Sequence, residues 1–81
     1  MNRDEIKMEL KNIIAEAVGH ENFEIKDTLT QEEVEGWSSL AQAMIIKDIE
    51  TMFGFKFKLI DLAAWKNIND LLDIIELKRT L

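Results

Sequence analysis

The sequence predicts an all-α protein, a small four-helix bundle with a long first loop. Three observations carry that expectation. Apolar residues recur at three- and four-residue steps in three separate stretches, each bounded by residues that start or stop helices. The one alternating stretch, "FKFKL" from Phe55 to Leu59, has no second convincing strand to pair with. No proline, repeat or low-complexity tract divides the 81 residues, so a single domain over residues 1–81 is expected.

The first helix is expected from about Arg3 to Val18, with Ile6, Leu10, Ile13, Ile14, Ala17 and Val18 along one face. Asn2 is its N-cap, Asp4 and Glu5 lie near the positive end of the dipole, and Gly19 supplies a left-handed closing residue. From Gly19 to Trp37 no period holds, and a connection longer than ~12–15 residues is uncommon in a compact domain unless it has a role. Phe23, Ile25, Leu29, Val34 and Trp37 are spaced through it as anchors, and Thr30 with Glu33 fits a capping box for a short turn in "TQEEV".

The second helix is expected to open with Ser38 as N-cap and Ser39 as first helical residue, and to close at Gly54. A step of about 100° per residue puts Ile45, Ile46, Ile49, Met52 and Phe53 on a core face and Leu40, Ala43, Met44 and Lys47 on the opposite one. "FKFKL" then reads as an extended connector that turns Phe55 and Phe57 inward and Lys56 and Lys58 to water, and "LIDLAAW" as one or two helical turns. The last helix opens at Asn67, capped together with Asp70, and sends Ile68, Leu71, Leu72, Ile74 and Ile75 inward.

With 47% apolar and 32% charged residues, the composition is that of a globular domain rather than a disordered tail or a membrane span. Sixteen acidic residues against ten basic ones give a net charge of −6, which repels phosphate backbones, so nucleic acid is not an expected partner. Lys56 and Lys58, like Lys78 and Arg79, are isolated pairs rather than a basic stripe. "MNRDEIKMEL" lacks an apolar signal core and no run approaches the ~20 apolar residues of a transmembrane helix. A cytoplasmic monomer without stable membrane insertion is therefore expected.

Chemistry is constrained as tightly. The absence of cysteine excludes disulfides, thiolate catalysis and cysteine-ligated metals. Serine hydrolysis would need a base, and the one histidine, His20, reads as a solvated residue just after the first helix. "GWSSL" also lacks the second glycine of a nucleophile elbow. "DTLTQEEVEG" does not set carboxylates at the alternate positions of a calcium loop, so Glu32, Glu33 and Glu35 read as a solvated acidic segment. No catalytic residue and no metal site are assigned, and the chain is not read as an enzyme.

What remains is the serine pair. A phosphate beside a helix N-terminus gains roughly 0.3–1 kcal/mol, up to ~2 when partly shielded, so a phosphodiester on Ser39 would sit in a favourable field. The alternative is that both serines simply cap the helix. The outward set Leu40, Ala43 and Met44 suggests a docking surface beside that point, where methionine adapts to several partners. The alternative there is packing against the long loop.

In sum these residues resemble the acyl carrier proteins. The match lies in "GWSSL" (Gly36–Leu40), "IETMFGFKF" (Ile49–Phe57) and "NINDLLDII" (Asn67–Ile75), in the order of the family's pattern and over nearly the whole chain. The tryptophan before the motif is similar to stand-alone carriers that read G-W-D-S-L. The resemblance implies an acyl-carrier-like fold and a 4′-phosphopantetheine on Ser39, transferred from coenzyme A by a phosphopantetheinyl transferase. It implies that acyl intermediates ride the arm as thioesters to acyl-loading, acyl-transferring or condensing enzymes of fatty acid, lipid or secondary-metabolite synthesis, with Leu40, Ala43, Met44 and Lys47 on the face they read. The sequence departs from the pattern at Ser38, where the family usually has aspartate, at Met44, often a carboxylate, and in the lysines Lys47, Lys56 and Lys58. Competing readings are a helical interaction module without a prosthetic group, a degenerate carrier that is never modified, and, last, a small serine hydrolase.

Overall fold

A computed structural model describes residues 1–79 and contains helices α1 (Arg3–Val18), α2 (Ser39–Phe53), α3 (Leu59–Ala64) and α4 (Ile68–Arg79), with a 3₁₀ turn at Gln31–Glu33 inside the first loop. No strand occurs among the described residues. The Cα radius of gyration, 11.6 Å, matches the ~12 Å expected of a single globule this long.

Each long helix starts at a side-chain cap, and α1 and α2 stop at glycines. The Asn2 side chain accepts the Glu5 amide at 2.9 Å while the Glu5 carboxylate accepts the Asn2 amide at 2.8 Å, a reciprocal box that opens α1. Gly19 and Gly54, both at positive φ, close α1 and α2. The first-turn amides of α4 are all occupied. Ile68 and Asn69 donate to the Leu29 and Asp27 carbonyls (3.1 and 2.9 Å), Asp70 to the Asn67 side chain (2.9 Å) and Leu71 to the Asn67 carbonyl (3.2 Å). The Asp70 carboxylate accepts the Lys66 amide, not that of Asn67, so the expected cap is formed one residue wider.

One core unites the long helices. Ile6, Leu10, Ile13 and Ile14 of α1 meet Ile45 and Ile49 of α2 and Ile68, Leu71, Leu72 and Ile75 of α4, with Leu29, Val34 and Trp65 filling between them. Fully burying such a side chain contributes ~1.5–3 kcal/mol against the entropy of ordering it. On α2 the buried stripe is Ala41, Ile45 and Ile49, and each four-residue step advances ~40° around the helix. Met52 falls behind this tilting stripe and is exposed, which corrects its expected place in the core; Phe53, one step further along the stripe, is half-buried against the core.

The long loop is tied down over its length. Leu29 and Val34 are buried, and Phe23, Ile25 and Trp37 pack half-buried on the core. Lys11 lies 3.8 Å over the Phe23 ring and donates to the carbonyls of Phe23 and Glu21, Lys7 pairs with Asp27 at 2.6 Å, and the Thr30 amide and hydroxyl both donate to the Glu33 carboxylate, the Glu33 side of the expected box. Arg3 joins the start of α1 to Asp73, Glu76 and Asn69 of α4. The connector behaves as its alternation predicts: Phe55 and Phe57 are half-buried, Lys56 and Lys58 exposed.

Candidate functional site at the start of the second helix

The entry to α2 is built from a close chain crossing. Gly36 has φ +87, and a Cβ there would stand 2.9 Å from the Val18 carbonyl oxygen, so the loop lies against the end of α1 where only glycine fits. Its carbonyl accepts the Ser38 amide at 2.9 Å. Trp37 then reaches across the first turn of α2, its indole N–H donating to the Gln42 side-chain oxygen at 2.7 Å. Behind it runs a row of rings. Trp37 meets Trp65 edge-on at 6.2 Å, Trp65 stacks on Phe57 at 6.1 Å, and Phe57 meets Phe55 at 5.0 Å. These contacts bind the start of α2 to the connector and to the residues before α4.

Ser38 is the N-cap: its hydroxyl accepts the Ala41 amide at 3.1 Å and its carbonyl the Gln42 amide at 2.9 Å. The amides of Ser39 and Leu40 have no protein acceptor among the described residues, in contrast to the fully occupied first turn of α4. Ser39 itself is exposed, its hydroxyl bonded to no described residue, and no carboxylate stands in the first turn of α2. The two serines thus divide the work: one holds the helix end, the other leaves its oxygen in solvent beside open N–H groups and the positive end of the dipole.

Leu40 is 72% and Met44 41% exposed, and Ala43 and Lys47 are exposed as well. This face therefore does not pack on the long loop, and that alternative is set aside. A further exposed apolar pair, not anticipated in the sequence, opens α3: Leu59 and Ile60 are 86% and 75% exposed. "LIDLAAW" is legible only as one or two helical turns, too short a stretch for periodicity to give either residue a direction.

His20 takes a structural position. Its Nδ1 accepts the Asn22 amide at 3.0 Å, which leaves the proton on Nε2 to donate to the Glu35 carbonyl at 2.6 Å. Both nitrogens are engaged in clipping the loop's two ends together. An open groove of about 370 Å³ lies at the end of α1, lined by Asn12, Ala15, Glu16, Gly19, His20 and Glu21; Ser39 and the exposed residues of α2 do not border it. Elsewhere, three carboxyls are held below their usual range by hydrogen bonding: Asp61 by the Lys58 amide and then Lys78, Glu33 by the Thr30 amide and hydroxyl, and Asp27 by Lys7. Among the described residues no group of three or more His, Asp or Glu is placed to hold a metal ion, and no helix is long and apolar enough to cross a membrane.

Comparison with protein-family models, curated proteins and solved structures finds no match to this chain.

Proposed function

We propose that this chain is an acyl carrier that holds acyl groups as thioesters on a 4′-phosphopantetheine esterified to Ser39. The observation that carries the reading is the exposed Ser39 hydroxyl at an open helix start, bordered by the exposed apolar side chains of Leu40, Ala43 and Met44. The residues present suit a phosphodiester. Two first-turn amides are free to meet its oxygens, no first-turn carboxylate opposes its charge, and Ser38 keeps the helix capped whether or not its neighbour is modified.

When bound, the arm supplies the thiol on which acyl groups are carried. The chain's own residues position and present it. Gly36, Trp37 and the ring row hold the attachment point against the core, and the outward face of α2 offers partner enzymes a few apolar contacts beside it. A tethered group gains effective concentration at each enzyme the chain meets, and weak docking lets it leave after each step. Phosphopantetheinyl transferase, acyl-loading enzymes and acyl-transferring or condensing enzymes are the partners of this reading.

Incubation with coenzyme A and a broad-specificity transferase should add one phosphopantetheine to the wild-type chain and to Ser38→Ala, and none to Ser39→Ala. No addition with several transferases, or addition that survives Ser39→Ala, contradicts the proposal. The bond from Ser38 to the Ala41 amide favours a second reading, in which the serines are only a helix cap and the protein is an unmodified interaction module. Chain purified from its own host would then run at its plain sequence mass.

A further inference from the structure

The charges of this chain are unevenly placed. Residues 1–36 hold ten carboxylates and four cationic side chains, a net −6, whereas residues 37–66, which form α2, the connector and α3, hold four lysines and three carboxylates. Two of those three carboxylates are turned inward. Glu50 accepts the Phe57 amide at 2.8 Å and lies 3.8 Å from Lys56, with its side chain 16% exposed. Asp61 accepts the Lys58 amide at 2.8 Å and pairs with Lys78 at 3.0 Å, with its side chain 14% exposed. Across residues 37–66 the exposed charges are therefore Lys47, Lys56, Lys58 and Lys66 against Asp48 alone.

Exposed apolar side chains lie in the same segment. Ala43, Lys47 and Glu50 stand at i, i+4 and i+7 and line one edge of α2. The Phe57 amide on Glu50 brings the connector to the last turn of α2, and α3 begins two residues later with Leu59 and Ile60. Leu40, Met44, Leu59 and Ile60 are thus, with Met52, the large exposed apolar side chains of the segment that carries Lys47 and Lys58.

We infer that the exposed side of this segment docks a protein whose matching face is an apolar depression bordered by carboxylates, not the cationic face that the overall charge of −6 would select. Carboxylates on such a partner are repelled by residues 1–36 and drawn to residues 37–66, which fixes the orientation of approach. The inference deepens the carrier reading by naming the chemistry of the partner's face, and rests on it for the partner being an enzyme.

The test is an NMR titration of the full ¹⁵N-labelled chain with two amphipathic helical peptides of equal length, one built of Leu and Glu, the other of Leu and Lys. The Leu/Glu peptide should shift the amides of Leu40, Met44, Lys47, Leu59 and Ile60, and the Leu/Lys peptide those of the loop from Glu21 to Glu35. Lys47→Glu with Lys58→Glu, two exposed positions at which circular dichroism should show an unchanged fold, should weaken the Leu/Glu peptide roughly tenfold. Leu40→Ala with Leu59→Ala should weaken it without altering the Leu/Lys peptide. Stronger binding of the Leu/Lys peptide to the α2 and α3 amides, or a Leu/Glu peptide that leaves them unmoved, overturns the inference. Ser39→Ala should titrate as wild type, so a chain that is never phosphopantetheinylated defeats the carrier reading by its mass while leaving this result to stand or fall by itself.

Discussion

Replacing Gly36 with alanine probes the joint that sets where α2 begins. Two costs combine there. A left-handed backbone costs a residue with a Cβ about 1–2 kcal/mol, and this applies equally to Gly19, Gly36 and Gly54, at φ +84, +87 and +74. Only at Gly36 does the new methyl meet protein: it would stand 2.9 Å from the Val18 carbonyl oxygen and 3.5 Å from the Val18 Cβ, whereas nothing lies within 4 Å at the other two. Relieving that overlap moves backbone, and overpacking of this kind typically costs about 1–3 kcal/mol. Gly36→Ala is thus expected to lose roughly 2–5 kcal/mol and Gly54→Ala roughly 1–2. In urea, with a slope of about 1 kcal/mol per molar for a chain of this size, the two midpoints should differ by about 1 M or more. Midpoints that coincide would refute the close crossing and with it the account of how the serine pair is positioned.

Other substitutions separate cap, surface and core. Ser38→Ala, which removes the acceptor for the Ala41 amide, should cost about 1 kcal/mol in the same denaturation, and Ser39→Ala much less; equal losses would argue against the division of roles between the serines. Leu40→Ala and Met44→Ala should stay within about 0.5 kcal/mol of wild type because both side chains already face water, while Ile49→Ala in the core should cost about 2–5 kcal/mol. Because folding lowers the pKa of Asp61, the folded state binds fewer protons there than the unfolded chain. The resulting stability is present above the ordinary carboxylate range and is lost as pH falls through the lowered folded value. Asp61→Asn should flatten this acid limb in thermal melts followed from neutral to acidic pH, and an unchanged limb would contradict the role of the Lys58 and Lys78 contacts.

How much of this was legible in the amino-acid order depends on which force decides each feature. Helix ends were legible because local chemistry sets them: Asn2 with Glu5, Thr30 with Glu33, Ser38, and the closing glycines act within four residues of themselves. Burial along α2 was legible only in part. A helical wheel assumes a straight stripe, while the packed stripe through Ala41, Ile45 and Ile49 tilts across the helix, so Met52 lost its place to a geometry set by α1. The exposure of Leu59 and Ile60, and the stacking of Trp37, Trp65, Phe57 and Phe55, depend on how distant segments meet and leave no periodic trace in the chain. The serine pair was visible as a helix start, yet the feature that distinguishes Ser39 from Ser38, two unoccupied amides and a solvent-facing hydroxyl, emerged only with three-dimensional positions.

The most direct test of the carrier account is tandem mass spectrometry of the full chain purified from its own host. The account predicts a single phosphopantetheine, carried on fragments that contain Ser39 and absent from those that end at Ser38. A chain at its unmodified mass, or an arm localised to Ser38, would contradict it.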